Sequence, residues 1–333
     1  MRSPDFLHKN AETELCEDYI AAGAVCRFST NSVRLLDAAR ETFLPLKRPR
    51  AADFSVRFWV DESDRSEPPW PTPYVRGLDH LVFAGFDEGS SMLVDLRARR
   101  VIGRFSPAMA ADCAYYKSVI LPMLMTIMSA SVGVAELHCA CVAKNQEALL
   151  LIGPSGAGKS TLSLALSQCG FGFVSDDRTF CSVENGEVQV WGLPTRLKLR
   201  REAASWFPEV QASPVSSGSK SESDVWLEPE QLGGVKRVRQ CRATSLIFLE
   251  RRDDSEFRLR TLSSSEALRR LSVDLMEELP EAAAKRLETL KRIIELPRWL
   301  LQYGGEPQVI AQQISQQIVV PEGCCAERSG VSE

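Results

Sequence analysis

Along residues 52–60 of the chain, Ala-Asp-Phe-Ser-Val-Arg-Phe-Trp-Val, apolar and polar side chains alternate with a period of two, which predicts a half-buried strand. Strand-like runs recur at 80–84, 92–96 and 101–105, after a proline-rich connection at 66–71. Ahead of them, residues 1–50 are mixed, with a helical pattern around Val33-Arg34-Leu35-Leu36. Together these segments predict a small β-rich N-terminal domain over residues 1–107.

The pattern then changes period. Residues 109–132 predict a helix, and its portion from Ser118 to Ala135 carries no charge and approaches the length of a membrane span. Pro122, Ser129 and Ser131, with Asp112 and Lys117 in the same run, point instead to a buried core helix, so no membrane span is expected. Beyond it, 137–143 and 148–152 predict strands joined by a turn at 144–147. A helix follows and ends at Gly170, a position suited to a left-handed cap; 171–175 predicts the next strand. Short strands at 187–191 and 245–250 and helices at 265–279, 281–303 and 306–318 complete an α/β second domain over 108–333. The serine-rich stretch 213–223 reads either as a solvated connection or as an active-site lid. No repeat of 20 to 50 residues is evident.

At 333 residues the chain can bury two cores. Its 40 basic and 44 acidic side chains leave a net charge of −4 without a long basic run, which argues against a nucleic-acid surface. The ten cysteines are scattered, and the opening Met-Arg-Ser-Pro-Asp-Phe is not a secretory signal, so they are expected to be reduced thiols of a cytoplasmic protein. Cys139 and Cys141 form C-x-C, as alternation along one strand face would produce. With three histidines and no paired C-x-x-C, a zinc site is not expected.

Candidate chemistry concentrates between residues 138 and 177. Gly153-Pro154-Ser155-Gly156-Ala157-Gly158-Lys159-Ser160 fits G-x-x-x-x-G-K-[ST] between a predicted strand and a predicted helix that starts at Thr161, the context in which this motif binds a nucleotide triphosphate. Glycines let backbone N–H groups converge on phosphate oxygens, and the helix dipole adds positive potential. Lys159 would reach the β and γ phosphates of ATP, and the Ser160 hydroxyl would serve Mg²⁺. One helix and one strand later come Asp176 and Asp177, suited to hold the metal and to take a proton from an attacking hydroxyl. His138, one hairpin before the loop, is placed to pair with an aspartate and poise it as a base. A further cation for transition-state charge is sought in Arg196, Lys198 and Arg178, in that order.

The order and spacing of His138, the loop 153–160 and Asp176-Asp177 resemble the catalytic domain of HPr kinase/phosphorylase. Closer still, Leu137-His138-Cys139-Ala140, Gly192-Leu193-Pro194-Thr195-Arg196-Leu197-Lys198 and residues 296–304 look like the HPr-kinase-related proteins of bacterial peptide-biosynthesis clusters, including lasso-peptide kinases. The resemblance implies a P-loop kinase fold of the phosphoenolpyruvate-carboxykinase type that transfers the γ-phosphate of ATP to a serine. It implies Asp176 as general base, Asp177 and Ser160 at Mg²⁺, and His138 supporting Asp176. Thr161 stands where HPr kinases carry a glutamate, and their C-terminal arginine-glycine motif is not found, so HPr specificity, phosphorylase activity and a hexameric homo-oligomer are not carried over.

The acceptor is left open among a peptide, a protein and a small hydroxyl compound. A small-molecule kinase and a non-transferring nucleotide switch are the alternatives. A transporter-type ATPase would need a distant apolar-apolar-Asp-Glu strand and a Leu-Ser-Gly-Gly signature, and the sequence carries neither.

Overall fold

The computed structural model describes residues 13–212, 224–254, 256–271 and 280–318. The serine-rich stretch 213–223, the end of the helix predicted at 265–279, and Cys324-Cys325 lie outside the described residues.

The chain opens with a strand pair that its mixed polarity conceals. β1 (Leu15–Ala21) and β2 (Ala24–Thr30) form an antiparallel hairpin, followed by α1 (Val33–Thr42) and the two-residue β3 (Leu44–Pro45). The alternating run becomes β4 (Phe54–Val60), with Phe54, Val56, Phe58 and Val60 all buried. Then come β5 (Tyr74–Leu78), β6 (Leu81–Gly85), β7 (Ser91–Asp95) and β8 (Arg100–Phe105). These eight strands make one sheet in the order β3-β1-β2-β4-β8-β7-β6-β5, with β2, β4 and β8 parallel neighbours.

The helix predicted at 109–132 is a broken run. α2 (Pro107–Ala111) stops at Asp112, whose carboxylate accepts from Tyr115 N (2.9 Å) and caps the short α3 (Cys113–Tyr115); a π-helical turn (Tyr116–Ile120) leads into α4 (Leu121–Val132). An acid in the middle of an apolar run costs less as a cap than inside a helix. The stretch Cys113–Val132 is long and apolar enough to cross a membrane by composition. It is instead built into the protein, with Leu121, Leu124, Met125 and Met128 fully buried against the first sheet. That apolar cluster also takes in Phe180, Trp191 and Leu193 from the second half of the chain.

The second sheet is built from β9 (Ala135–Lys144), β10 (Glu147–Ile152), β11 (Gly172–Ser175), β12 (Arg178–Glu184), β13 (Glu187–Trp191), β16 (Gln240–Arg251), β17 (Arg258–Thr261) and β18 (Arg298–Tyr303). β14 (Leu197–Arg200) and β15 (Asp224–Leu227) form a separate two-stranded ribbon. The helices are α5 (Lys159–Gln168), ending at Gly170 with φ +91°, then α6 (Arg201–Ala204), α7 (Pro208–Ala212), α8 (Ser264–Arg270), α9 (Pro280–Glu295) and α10 (Pro307–Gln317). The chain is thus mixed α/β with two large sheets.

Two features of this sheet position the site. β10, β16 and β18 run parallel, so their C-terminal ends gather at one edge. β13 also pairs with the first residues of β16, which curls β9, β10, β16, β13 and β12 into a ring. Its inner side carries small residues, Cys139, Cys141, Ala148, Cys181, Cys241 and Ala243, beside the larger Leu137, Leu150, Ile152 and Val190, all buried. The C-x-C pair is therefore a packing pair, and burial raises both of its thiol pKa values. Even-numbered neighbours Ala140 and Val142 face the other side, against α5 and α10.

The helix predicted at 281–303 is corrected. α9 ends at Glu295, Pro297 interrupts the backbone, and residues 298–303 pair as β18 between β16 and β17. The Leu and Arg spacing fits a helix, but parallel pairing with a long-range strand wins over it.

Candidate active site

β10 delivers the chain to Gly153, and the loop turns through Gly158 into α5. Gly158 has φ +91°, and a Cβ there would collide with the Tyr303 hydroxyl, so only glycine serves. That hydroxyl donates to the Ala157 carbonyl at 2.6 Å. Tyr303 ends β18, which pairs with β16 beside the loop's own strand, so the sheet fixes the loop's shape. A loop of this shape at the positive end of α5 suits an anion.

Lys159 is 7% exposed and lies under the loop. Its Nζ donates to Gly153 O (2.8 Å) and Pro154 O (3.3 Å) and lies 3.3 Å from His138 Nε2. Burial lowers its pKa, against the opposing pull of Asp177. His138 Nδ1 lies 3.1 Å from Asp177 Oδ1. A neutral imidazole protonated on Nδ1 satisfies both contacts, accepting from the lysine and donating to the carboxylate. The histidine thus pairs with Asp177, where the resemblance implies Asp176.

Asp176 is held differently. It is 5% exposed; its Oδ2 accepts from the Lys198 backbone N–H at 3.0 Å, and the Ser160 hydroxyl lies close enough to favour the ionised carboxyl. Its Oδ1 is buried with no hydrogen-bond partner among the described residues. Burial raises its pKa from 3.8 to about 6, Ser160 and the Lys198 N–H offsetting only part of the desolvation. Two adjacent carboxyls therefore have opposite environments, one dry and partly unpaired, the other exposed and bonded to a histidine.

The backbone that carries the pair runs along the far side of β9 from the loop's own strand. β11 is not the lateral neighbour of β10; antiparallel β9 lies between them. After Ser175 the chain does not leave the sheet but resumes as β12 on the same edge of β9, so the acids sit at an interruption of one strand path. Ser175 and Thr179 flank the break, both buried, and their hydroxyls bond each other at 2.5 Å while Thr179 Oγ1 donates to Cys139 O at 2.9 Å. This hydroxyl clip holds the bend that turns Asp176 toward Ser160.

A cavity of about 530 Å³ opens over the loop, lined by His138, Lys159, Ser160, Asp176 and Asp177 among others. All three cations named from sequence reach it, but each is engaged. Arg178 pairs with Glu136 (2.7 Å), Arg196 with Glu228 (3.1 Å) and Lys198 with Asp224 (2.9 Å), its ammonium 5.6 Å from the Trp226 ring centre. Arg237 ties the segment down by donating to Leu193 O and Thr195 O.

The sequence reading missed Arg200 and Arg251, which line the same cavity and have no ion pair to an acid among the described residues. Two Arg200 nitrogens lie 3.8 and 3.9 Å from where a Cβ on Gly156 would stand, so its guanidinium overhangs the loop. Arg251 ends β16, at the C-terminal edge shared with β10; the parallel pairing is the signal that would have found it.

Among the described residues no cluster of three or more His, Cys, Asp or Glu side chains forms a metal-binding group. The exposed Asp177 carboxylate and the Ser160 hydroxyl are nonetheless hard oxygen donors of the kind Mg²⁺ takes together with substrate phosphates, and the Asp176 carboxyl lies beside them in the same cavity.

No family model matches the chain, and no curated protein matches it. Among solved structures it is similar to the HPr(Ser) kinase/phosphatase of Coxiella burnetii, with 16% identity and a TM-score of 0.29 over 54% of this chain and 94% of that one. A score and identity at this level assign neither family nor activity, so the functional reading stands on the site itself.

Proposed function

We propose that the chain is an ATP-dependent kinase that moves the γ-phosphate to a hydroxyl, with a serine of a peptide or protein as the leading acceptor. The observation that carries this reading is the buried Asp176 carboxyl with its pKa of about 6, facing the same cavity as Lys159 and the loop amides. A carboxyl tuned to that range is ionised at neutral pH yet basic enough to take a proton in the transition state.

In this mechanism the loop amides and Lys159 hold the β and γ phosphates. The acceptor oxygen forms a bond to the γ phosphorus while the bond to the β–γ bridging oxygen breaks; the acceptor proton passes to Asp176, and ADP leaves. Ser160 and Asp177 would hold Mg²⁺, which would neutralise phosphate charge when bound. His138 keeps Asp177 in place. Arg200 and Arg251, rather than the engaged Arg196, supply the further positive charge along the phosphate chain.

The test incubates the protein with γ-labelled ATP, Mg²⁺ and serine-containing acceptors, beside Asp176→Asn. Label transfer that the substitution abolishes supports the base; label transfer it leaves intact removes it. Tight ATP binding with no transfer to any peptide or small hydroxyl compound would favour a nucleotide-sensing switch.

A further inference from the structure

A second cavity of about 350 Å³ adjoins the first. The two share Gly158, Thr161, Arg200, Ala203 and Arg251. The larger alone holds Lys159, Asp176, Asp177 and His138; the smaller alone is lined by Leu162, Glu202, Trp206, Tyr303, Gly305 and Pro307. Together they form a bilobed groove whose neck lies over the loop and is flanked by two arginines.

A nucleoside triphosphate bound to the loop has a fixed direction. Its γ end must meet Lys159 and the carboxylates, all in the larger lobe. The phosphate chain then crosses the neck at Gly158 and Thr161, where Arg200 and Arg251 face it, and the α-phosphate leaves on the far side. Ribose and base extend beyond the α-phosphate, and the smaller lobe lies there. Apart from Glu202, the residues that line only that lobe are aromatic, apolar or glycine, whereas most of those that line only the larger are charged or polar. Trp206 is 38% exposed, and its place between α6 and α7 is fixed by the buried Phe207 next to it and by Gln308, whose side-chain amide donates to the Trp206 carbonyl at 2.7 Å. A part-exposed indole on a held backbone at a cavity wall is a stacking platform for a planar ring.

Resting on the nucleotide reading above, we propose that the Trp206 lobe is the nucleoside subsite, with the base stacked on the indole and Arg200 and Arg251 bracketing the α and β phosphates. The larger lobe beyond Lys159 is then left to the acceptor, which fixes the two substrates on opposite sides of the loop.

Calorimetric titration of the full chain with ATP and with inorganic tripolyphosphate, both with Mg²⁺, tests this. In the wild type ATP should bind more tightly than tripolyphosphate. Trp206→Ala should weaken ATP by roughly tenfold, as loss of one aromatic–base stack does, and leave tripolyphosphate within about twofold. Trp206→Phe should restore most of the ATP affinity. Unchanged ATP binding in Trp206→Ala, equal weakening of both ligands, or equal wild-type affinities would overturn the subsite while leaving the phosphate loop intact. A wild type that binds neither ligand would remove the nucleotide reading itself.

Discussion

Asp176→Asn should stabilise the fold at neutral pH while abolishing phosphate transfer. The carboxyl is 5% exposed, and burial moves its pKa from 3.8 to about 6. Because the folded value lies above the unfolded one, the folded chain holds an extra proton between roughly pH 4 and pH 6, and the group's contribution to stability falls as pH rises through that window. Above it, a shift of about two units amounts to about 3 kcal/mol of unfavourable ionisation. Asparagine removes that cost at every pH. Its NH₂ then occupies the place where Oδ1 has no partner, which costs about 1–2 kcal/mol. The variant should thus be more stable by about 1–2 kcal/mol at pH 8, and the advantage should shrink by about 1.4 kcal/mol at pH 5, where the wild-type carboxyl is largely protonated. Urea unfolding of both proteins at the two pH values measures the difference directly. A stability difference that is the same at pH 5 and pH 8 would refute the claim that Asp176 ionises in a desolvated site.

Transfer activity should rise with pH through about 6 as Asp176 loses its proton, and a kcat/KM profile flat from pH 5 to 8 would exclude it as the base. Gly158→Ala should weaken ATP binding at least about tenfold, because a Cβ there meets both a left-handed backbone and the Tyr303 hydroxyl. Tyr303→Phe leaves the Ala157 carbonyl without its donor; a stability loss of about 1–2 kcal/mol and weaker ATP binding are expected by thermal melting and calorimetry. Arg200→Ala and Arg251→Ala should each weaken ATP binding, most at low salt, whereas Arg196→Ala should change it little, since its charge is already met by Glu228.

Local signals carried much of this architecture. The alternation at 54–60, the loop between an apolar strand and a helix, and the core character of α4 are visible because each depends on residues close in sequence. Long-range pairing was not visible. β18 continues the Leu and Arg spacing of α9, and only its place between β16 and β17 makes it a strand. Arg251 matters because β16 runs parallel to β10, which nothing near residue 251 announces. The acids themselves were legible, but the partner of His138 was not. Which aspartate meets the imidazole depends on an irregularity in the β11–β9 register between Phe173 and Ser175. The engaged state of Arg178, Arg196 and Lys198 was equally hidden, because each of their carboxylate partners lies 26 or more residues away.

Asp176 and Asp177 occupy a gap of fixed length. Ser175 pairs with Cys141 and Arg178 with His138, so the chain rejoins β9 in the register it left. Inserting or deleting one residue between them would rotate every later side chain of β12 to the opposite face. Phe180 would leave the apolar cluster it shares with the first sheet, and Cys181 would leave the crowded inner side of the ring. Diversification of this chain therefore has to proceed by exchanging side chains around a constant spacer: the two acids cannot drift along the sequence without unseating the joint between its halves.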